Sequence, residues 1–156
     1  MGPVDGTAQQ SATRLRPATA ADRPILAAAT LGNVNWNGPR TTADQVRADP
    51  ALWHYVASWP GPGDFGRVAQ EAPRGWLGIV WLTHFTSADP GFGFVAQDIP
   101  ELSLHVVEAH RGRGLGSLML RTAIAEARRR DLRGISLSVA AGNPAMRLYA
   151  RFGFQD

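Results

Sequence analysis

Three observations predict a single α/β domain. The 156-residue length matches one compact domain, at the usual ~100–200 residues each. Glu101-Leu-Ser-Leu-His-Val-Val107 alternates with period two, its leucines and valine on one face and Glu101, Ser103 and His105 on the other, which is the pattern of a strand. The period then becomes helical. Leu115, Leu118, Met119, Ala123 and Ala127 mark one face of a helix of about four turns, widened by Leu120 and Ile124, with Arg121 and Arg128 opposite.

The remaining elements follow in chain order. Residues 1–12 carry no apolar period and are expected to be a disordered tail, leaving 13–156 as the domain. Arg14-Leu15-Arg16 alternates as a short strand, and Thr19-Ala-Ala-Asp22 opens a helix through Ile25 to Ala29. Asn33 to Arg40 reads as a loop. Thr42-Ala-Asp-Gln45 is a capping-box pattern, and Asp49-Pro50 ends its helix after about two turns. Trp53 to Ser58 and Trp76 to Phe85 are rich in aromatic and β-branched residues. With Pro60-Gly-Pro-Gly-Asp64 between them, they are expected to form two antiparallel strands. A loop spans 86–98. After the long helix, broken at Gly134, Ile135-Ser-Leu-Ser-Val139 alternates as another strand and Asn143-Pro144 opens a short last helix.

Composition excludes several function classes. With 44% hydrophobic and 19% charged residues the chain is no charged disordered tail. Apolar stretches such as Ile79-Val-Trp-Leu82 fall far short of the ~20 residues of a bilayer span. No membrane partner is expected, and without an export signal the cytoplasm is the expected location. The absence of cysteine removes disulfides, thiolate metal sites and thiol nucleophiles, and no metal is expected. The sixteen basic residues are all arginine, yet the net charge is only +3. That is not the balance of a nucleic-acid binder, and Arg128-Arg129-Arg130 is expected to be a solvated helix end that complements the dipole. Nine arginines lie after residue 110, which suits that third of the chain to an anionic ligand.

The anion site has a specific candidate in Glu108-Ala-His-Arg111-Gly112-Arg113-Gly114-Leu115-Gly116, between the strand and the long helix. Glycines let backbone approach a ligand closely. The first helical amides have no internal partner, and the dipole favours negative charge there. Arg111 and Arg113 add cationic side chains. A Walker A loop is excluded because Leu115-Gly116-Ser117 has no lysine, and the spacing Gly112-x-Gly114-x-Gly116 does not match the dinucleotide fingerprint. Taken alone, such glycines equally describe a turn that caps a helix and binds nothing.

Arg111-Gly-Arg-Gly-Leu-Gly116 resembles the Arg/Gln-x-x-Gly-x-Gly/Ala signature of the GCN5-related N-acetyltransferase (GNAT) superfamily. A second block, Asn143-Pro-Ala-Met-Arg-Leu-Tyr149-Ala-Arg-Phe-Gly-Phe154, resembles that family's Asn-x-x-Ala-x-x-Leu-Tyr-x-x-x-Gly-Phe element, with Asn143 one residue nearer the tyrosine than in many members. The resemblance covers roughly residues 100–155. It implies a mixed, mostly antiparallel twisted sheet flanked by helices, and direct transfer of acetyl from acetyl-CoA to an amine-bearing small molecule or peptide.

By position, the backbone of Leu104, His105 and Val106 would meet the pantetheine, and Gly112, Arg113, Gly114, Leu115, Gly116 and Ser117 would cradle the pyrophosphate beside Arg111. Asn143 would contact the pantetheine arm. Tyr149, a phenol protonated at neutral pH, is the candidate acid for the leaving thiolate. Glu101 is the leading candidate base and His105 the second, while the fifth strand offers only Ser136 and Ser138. Asn35, Trp36, Asn37, Trp53, Tyr55, Trp81 and Phe92 are candidates for the acceptor cleft, with core or scaffold as the alternative for each. Members of the family continue past Gly-Phe with two more strands, whereas this sequence stops at Asp156. Either the chain is truncated or a partner subunit closes the sheet, which makes a homodimer an expectation. The alternative function is a non-catalytic acyl-CoA-binding or regulatory module of the same fold, which would need neither Tyr149 nor Glu101.

Overall fold

The computed structural model describes residues 13–72 and 75–156, so the expected tail at 1–12 lies outside the described residues. Four strands form one antiparallel sheet in the order β1 (Arg14–Pro17), β2 (Phe65–Glu71), β3 (Gly75–Thr83) and β4 (Glu101–Val106). Helices α1 (Arg23–Val34), α2 (Ala43–Ala48) and α3 (Pro50–Trp53) come before β2, and α4 (Leu115–Arg129) and α5 (Ala145–Arg151) follow β4.

The sheet buries both faces. Leu77, Val80, Leu82 and Leu102 meet Leu115, Met119, Leu120 and Ala123 of α4. On the other side Val68, Ile79 and Trp81 meet Leu26 and Ala29 of α1 with Tyr55, Val56 and Trp59. This explains why the sequence of β3 reads as a continuous apolar run. A central strand covered on both sides has no solvent face on which to alternate.

Two expected strands are corrected. Trp53–Ser58 is not a strand: Pro50 occupies the first helical turn, the Asp49 side chain accepts from the Ala51 amide at 3.0 Å, and α3 runs into turns. Its aromatic and β-branched residues are core anchors, with the Trp59 and Trp81 indoles donating to the carbonyls of Leu82 and Tyr55, both at 3.1 Å. The antiparallel partner of β3 is instead β2, whose Gly66 and Arg67 dilute the strand signal. The expected strand at 135–139 makes one parallel bridge, Ser136 to Glu101, and no ladder. The Ser136 amide donates to the Pro100 carbonyl at 3.0 Å and the Leu102 amide to the Ser136 carbonyl at 2.7 Å, after which the segment leaves β4. The expected mixed sheet is thus an antiparallel four-stranded one with an isolated parallel bridge at the start of β4. Beyond α5 no strand follows among the described residues, and none of their helices is long and apolar enough to cross a membrane.

The entry to α1 is held by a half-buried ion pair. Asp22 accepts from both terminal guanidinium nitrogens of Arg16, at 2.8 and 2.7 Å, and from the Thr19 amide at 2.8 Å. These bonds hold its carboxyl below the usual range, the bond from Arg16 contributing most. A depressed native pKa contributes stability that is present above the unfolded value of about 3.9 and is lost as pH falls through the native one. Asp22→Asn should therefore cost about 2 kcal/mol at pH 7. Urea unfolding of both proteins should show that difference shrinking at acid pH.

Candidate active site

β4 and the segment after α4 part company at Leu102, and the chemistry gathers where they separate. Because the Leu102 amide points to Ser136, the alternation of the antiparallel ladder turns the backbone of Leu104 and Val106 to the same open side. The backbone of His105 points to β3 instead, so the expectation that it contributes to that edge is corrected. Its side chain is also placed apart from the cleft. The ring packs on Gly32 of α1 and bonds Asn33 Oδ1 at 3.1 Å, with its pKa pushed down to about 4 by burial and then by the charge of Arg111.

The turn before α4 presents six consecutive amides, Gly112 to Ser117, with no hydrogen-bond partner among the described residues. The first helical bond is donated by Leu118, to the Gly114 carbonyl at 3.0 Å. Gly112 and Gly114 have φ of 80° and 76°, a region costly for residues with a Cβ. Arg111 is tied back to the Val106 carbonyl at 3.1 Å, while Arg113 makes no hydrogen bond or ion pair among the described residues. The basic run at the far end of α4 is partly engaged: Arg129 and Arg130 both bond Glu126, and the Arg130 guanidinium lies 4.3 Å over the Phe65 ring.

A cleft of about 400 Å³ opens beside β4. Its floor is Glu101 to Leu104. One wall comes from α1 and the loops after it, the other from residues 138–140, Asn143 and Tyr149. Glu101 is 3% exposed, and its Oε1 accepts from the Tyr55 hydroxyl at 2.7 Å and the Gly93 amide at 3.0 Å. Its Oε2, also buried, has no hydrogen-bond partner among the described residues. Residue 91 must be glycine, because a Cβ there would lie 2.0 Å from that oxygen. Burial pushes the Glu101 carboxyl above the ordinary range, opposed by the bonds from Tyr55 and Gly93 and by the charge of His54.

Tyr149 lines the same cleft, 8% exposed, and its hydroxyl makes no hydrogen bond among the described residues. Burial pushes its pKa up to about 12. Asn143 also lines the cleft, its Oδ1 accepting from the Ala145 amide at 3.0 Å at the start of α5. Of the acceptor-cleft candidates, Trp36, Tyr55, Trp81 and Phe92 line it. Trp53 does not, and Asn35 instead ties its loop to Arg40 and Thr41. Sequence reasoning missed the Tyr55–Glu101 bond, which joins residues 46 apart with no local pattern to reveal it.

The model of the acetyltransferase (GNAT) family matches residues 32–154. The chain belongs to the GNAT acetyltransferase family. The GNAT fold recurs in a GCN5-related N-acetyltransferase of Ralstonia eutropha JMP134, with TM-score 0.70, 23% identity, and 93% and 94% of the two chains covered. It also recurs in one from Kribbella flavida, with TM-score 0.63, 25% identity and coverage of 92% and 83%. A predicted acetyltransferase of Clostridium acetobutylicum, crystallised with acetyl-CoA, has TM-score 0.59 and 16% identity over 93% and 91% of the chains. A mycothiol acetyltransferase of Corynebacterium glutamicum is 42% identical over 69 residues, which is 41% of this chain and 24% of that protein.

GNAT enzymes take their acetyl group from acetyl-CoA. The residues present fit that molecule. Six unpartnered amides and the open space around Gly112 and Gly114 suit a diphosphate, and the free edge of β4 suits an extended amide-bearing arm.

Proposed function

We propose that this GNAT enzyme transfers acetyl from acetyl-CoA directly to a primary amine held in the cleft over Glu101. Acetyl-CoA supplies the activated acetyl thioester. The amides of Gly112 to Ser117 and the edge of Leu104 and Val106 hold it, with Arg111, Arg113 and Asn143 at its flanks. Glu101 accepts the proton the amine loses as its nitrogen bonds the acetyl carbon. Tyr149 donates its phenolic proton to the departing sulfur and recovers one from water.

One observation carries this reading. A buried carboxylate and a tyrosine whose hydroxyl has no partner among the described residues line one cleft, beside the diverging edge of β4. Burial suits both roles: it raises the basicity of Glu101 and keeps Tyr149 protonated at neutral pH. The same reading keeps the cytoplasmic location and a homodimer closing the open side of segment 135–139. Sedimentation should then give twice the monomer mass.

The first test is calorimetric titration with acetyl-CoA and CoA. A saturable site is expected, and Gly114→Val should weaken it by about tenfold or more, since φ of 76° and the amide cradle both disfavour a side chain. No binding by the folded chain would refute the reading. Binding without CoA release across a broad amine panel would leave the non-catalytic acyl-CoA module.

A further inference from the structure

The walls of the cleft define a class of acceptor. Among the residues lining it Glu101 is the one charged side chain, and no arginine, histidine or aspartate joins it. Trp36, Trp81, Tyr55 and Phe92 supply aromatic surface, with Val34 and Leu52 beside them. Phe92 is 67% exposed and nearly parallel to the Tyr55 ring, 6.3 Å between centroids and 16° between planes, so it forms an apolar lip.

Several polar atoms on the α1 side of these walls are committed. The Tyr55 hydroxyl donates to Glu101 and accepts from the Phe92 amide, and the Trp81 indole donates to the Tyr55 carbonyl. The Thr30 hydroxyl donates to the Leu26 carbonyl and Asn33 Oδ1 is bonded to His105. A carboxylate on the substrate would have no cation to meet and would face the charge of Glu101. A second ammonium group would find no second carboxylate.

Building on the acetyltransfer reading, we propose that the acceptor is a monoamine with an aromatic or similarly apolar body and no carboxylate. The amine lies on the Glu101 side of the cleft and the body against Trp36 and Phe92. Four aromatic rings around one carboxylate make the wall of such a site, in which apolar surface supplies affinity and one polar group fixes orientation.

The test measures CoA release with 2-phenylethylamine, tryptamine, L-phenylalanine, spermidine and tetra-alanine, after acetyl-CoA binding has been established by calorimetry. L-Phenylalanine differs from 2-phenylethylamine only by its carboxylate. The two arylalkylamines should exceed it in kcat/KM by about a hundredfold or more, and spermidine and tetra-alanine by a similar margin. Trp36→Ala and Phe92→Ala should each raise KM for 2-phenylethylamine by about fivefold or more, with kcat within about twofold and acetyl-CoA affinity unchanged. Equal or better turnover of L-phenylalanine, spermidine or tetra-alanine would overturn the proposal, as would unchanged KM in both variants. Acetyl-CoA binding with none of the five amines acetylated would also overturn it. Failure to bind acetyl-CoA would instead refute the acetyltransfer reading on which the proposal rests.

Discussion

Glu101→Gln should lower kcat/KM for the best acceptor amine by about 10²–10³-fold, within the usual contribution of a positioned general base. The amide keeps an oxygen to accept from Tyr55 and Gly93, so the geometry of the site is retained while proton acceptance is lost. Acetyl-CoA affinity should not change. In the unsubstituted enzyme, the acid limb of kcat/KM should lie above the ordinary glutamate value of about 4.3, because burial raises this carboxyl. The same limb should be missing from the variant. Retained activity with an unshifted profile would remove Glu101 from the mechanism.

The substitution carries a second signature, in stability. A carboxyl whose native pKa is raised contributes stability below its unfolded value, and that contribution is lost as pH rises through the native one. Once ionised, the carboxylate is buried with Oε2 unpartnered among the described residues, a charge burial that glutamine avoids. Urea unfolding should show the stability of Glu101→Gln relative to the unsubstituted protein improving between pH 4 and pH 7. Loss of activity with a relative gain of stability at neutral pH is what a functional buried charge predicts.

Tyr149→Phe should lower kcat by about 10²-fold, as expected when a positioned acid is removed, with acetyl-CoA affinity little changed. The ring and its edge contact with Phe154, 5.9 Å between centroids, are preserved, and the hydroxyl has no partner among the described residues to lose. With its pKa pushed up to about 12 by burial, Tyr149 should impose no alkaline limb on kcat below about pH 10. An unchanged kcat would show the tyrosine to be packing alone. A thiol-release assay run with both variants under one set of conditions separates the acid from the base.

Much of this was legible along the chain because the physics is local. The glycine turn before α4 and the Asn143–Phe154 block are short-range patterns, and an N-terminal helical turn leaves its amides unpaired whatever surrounds it. The alternation of Glu101 to Val106 likewise placed Glu101 and Ser103 on one face of β4. Strand assignment failed at Trp53–Ser58 because aromatic and β-branched residues report burial as much as extension. There Pro50 and the Asp49 cap start a helical turn that sends Tyr55 and Val56 into the core.

The sequence by itself determined the family and the glycine turn with its unpaired helical amides, and it singled out Glu101 and Tyr149 as candidates. Tertiary structure alone decided that His105 faces α1 and β3 rather than the cleft, that Tyr55 and Gly93 grip Glu101, and that Glu101 is the single charge among the aromatic side chains lining the cleft. The physical reason is range. Helix ends, caps and turns are set by neighbours within a few residues, whereas the environment of a buried carboxylate is set by groups brought to it from loops and helices far away in the chain.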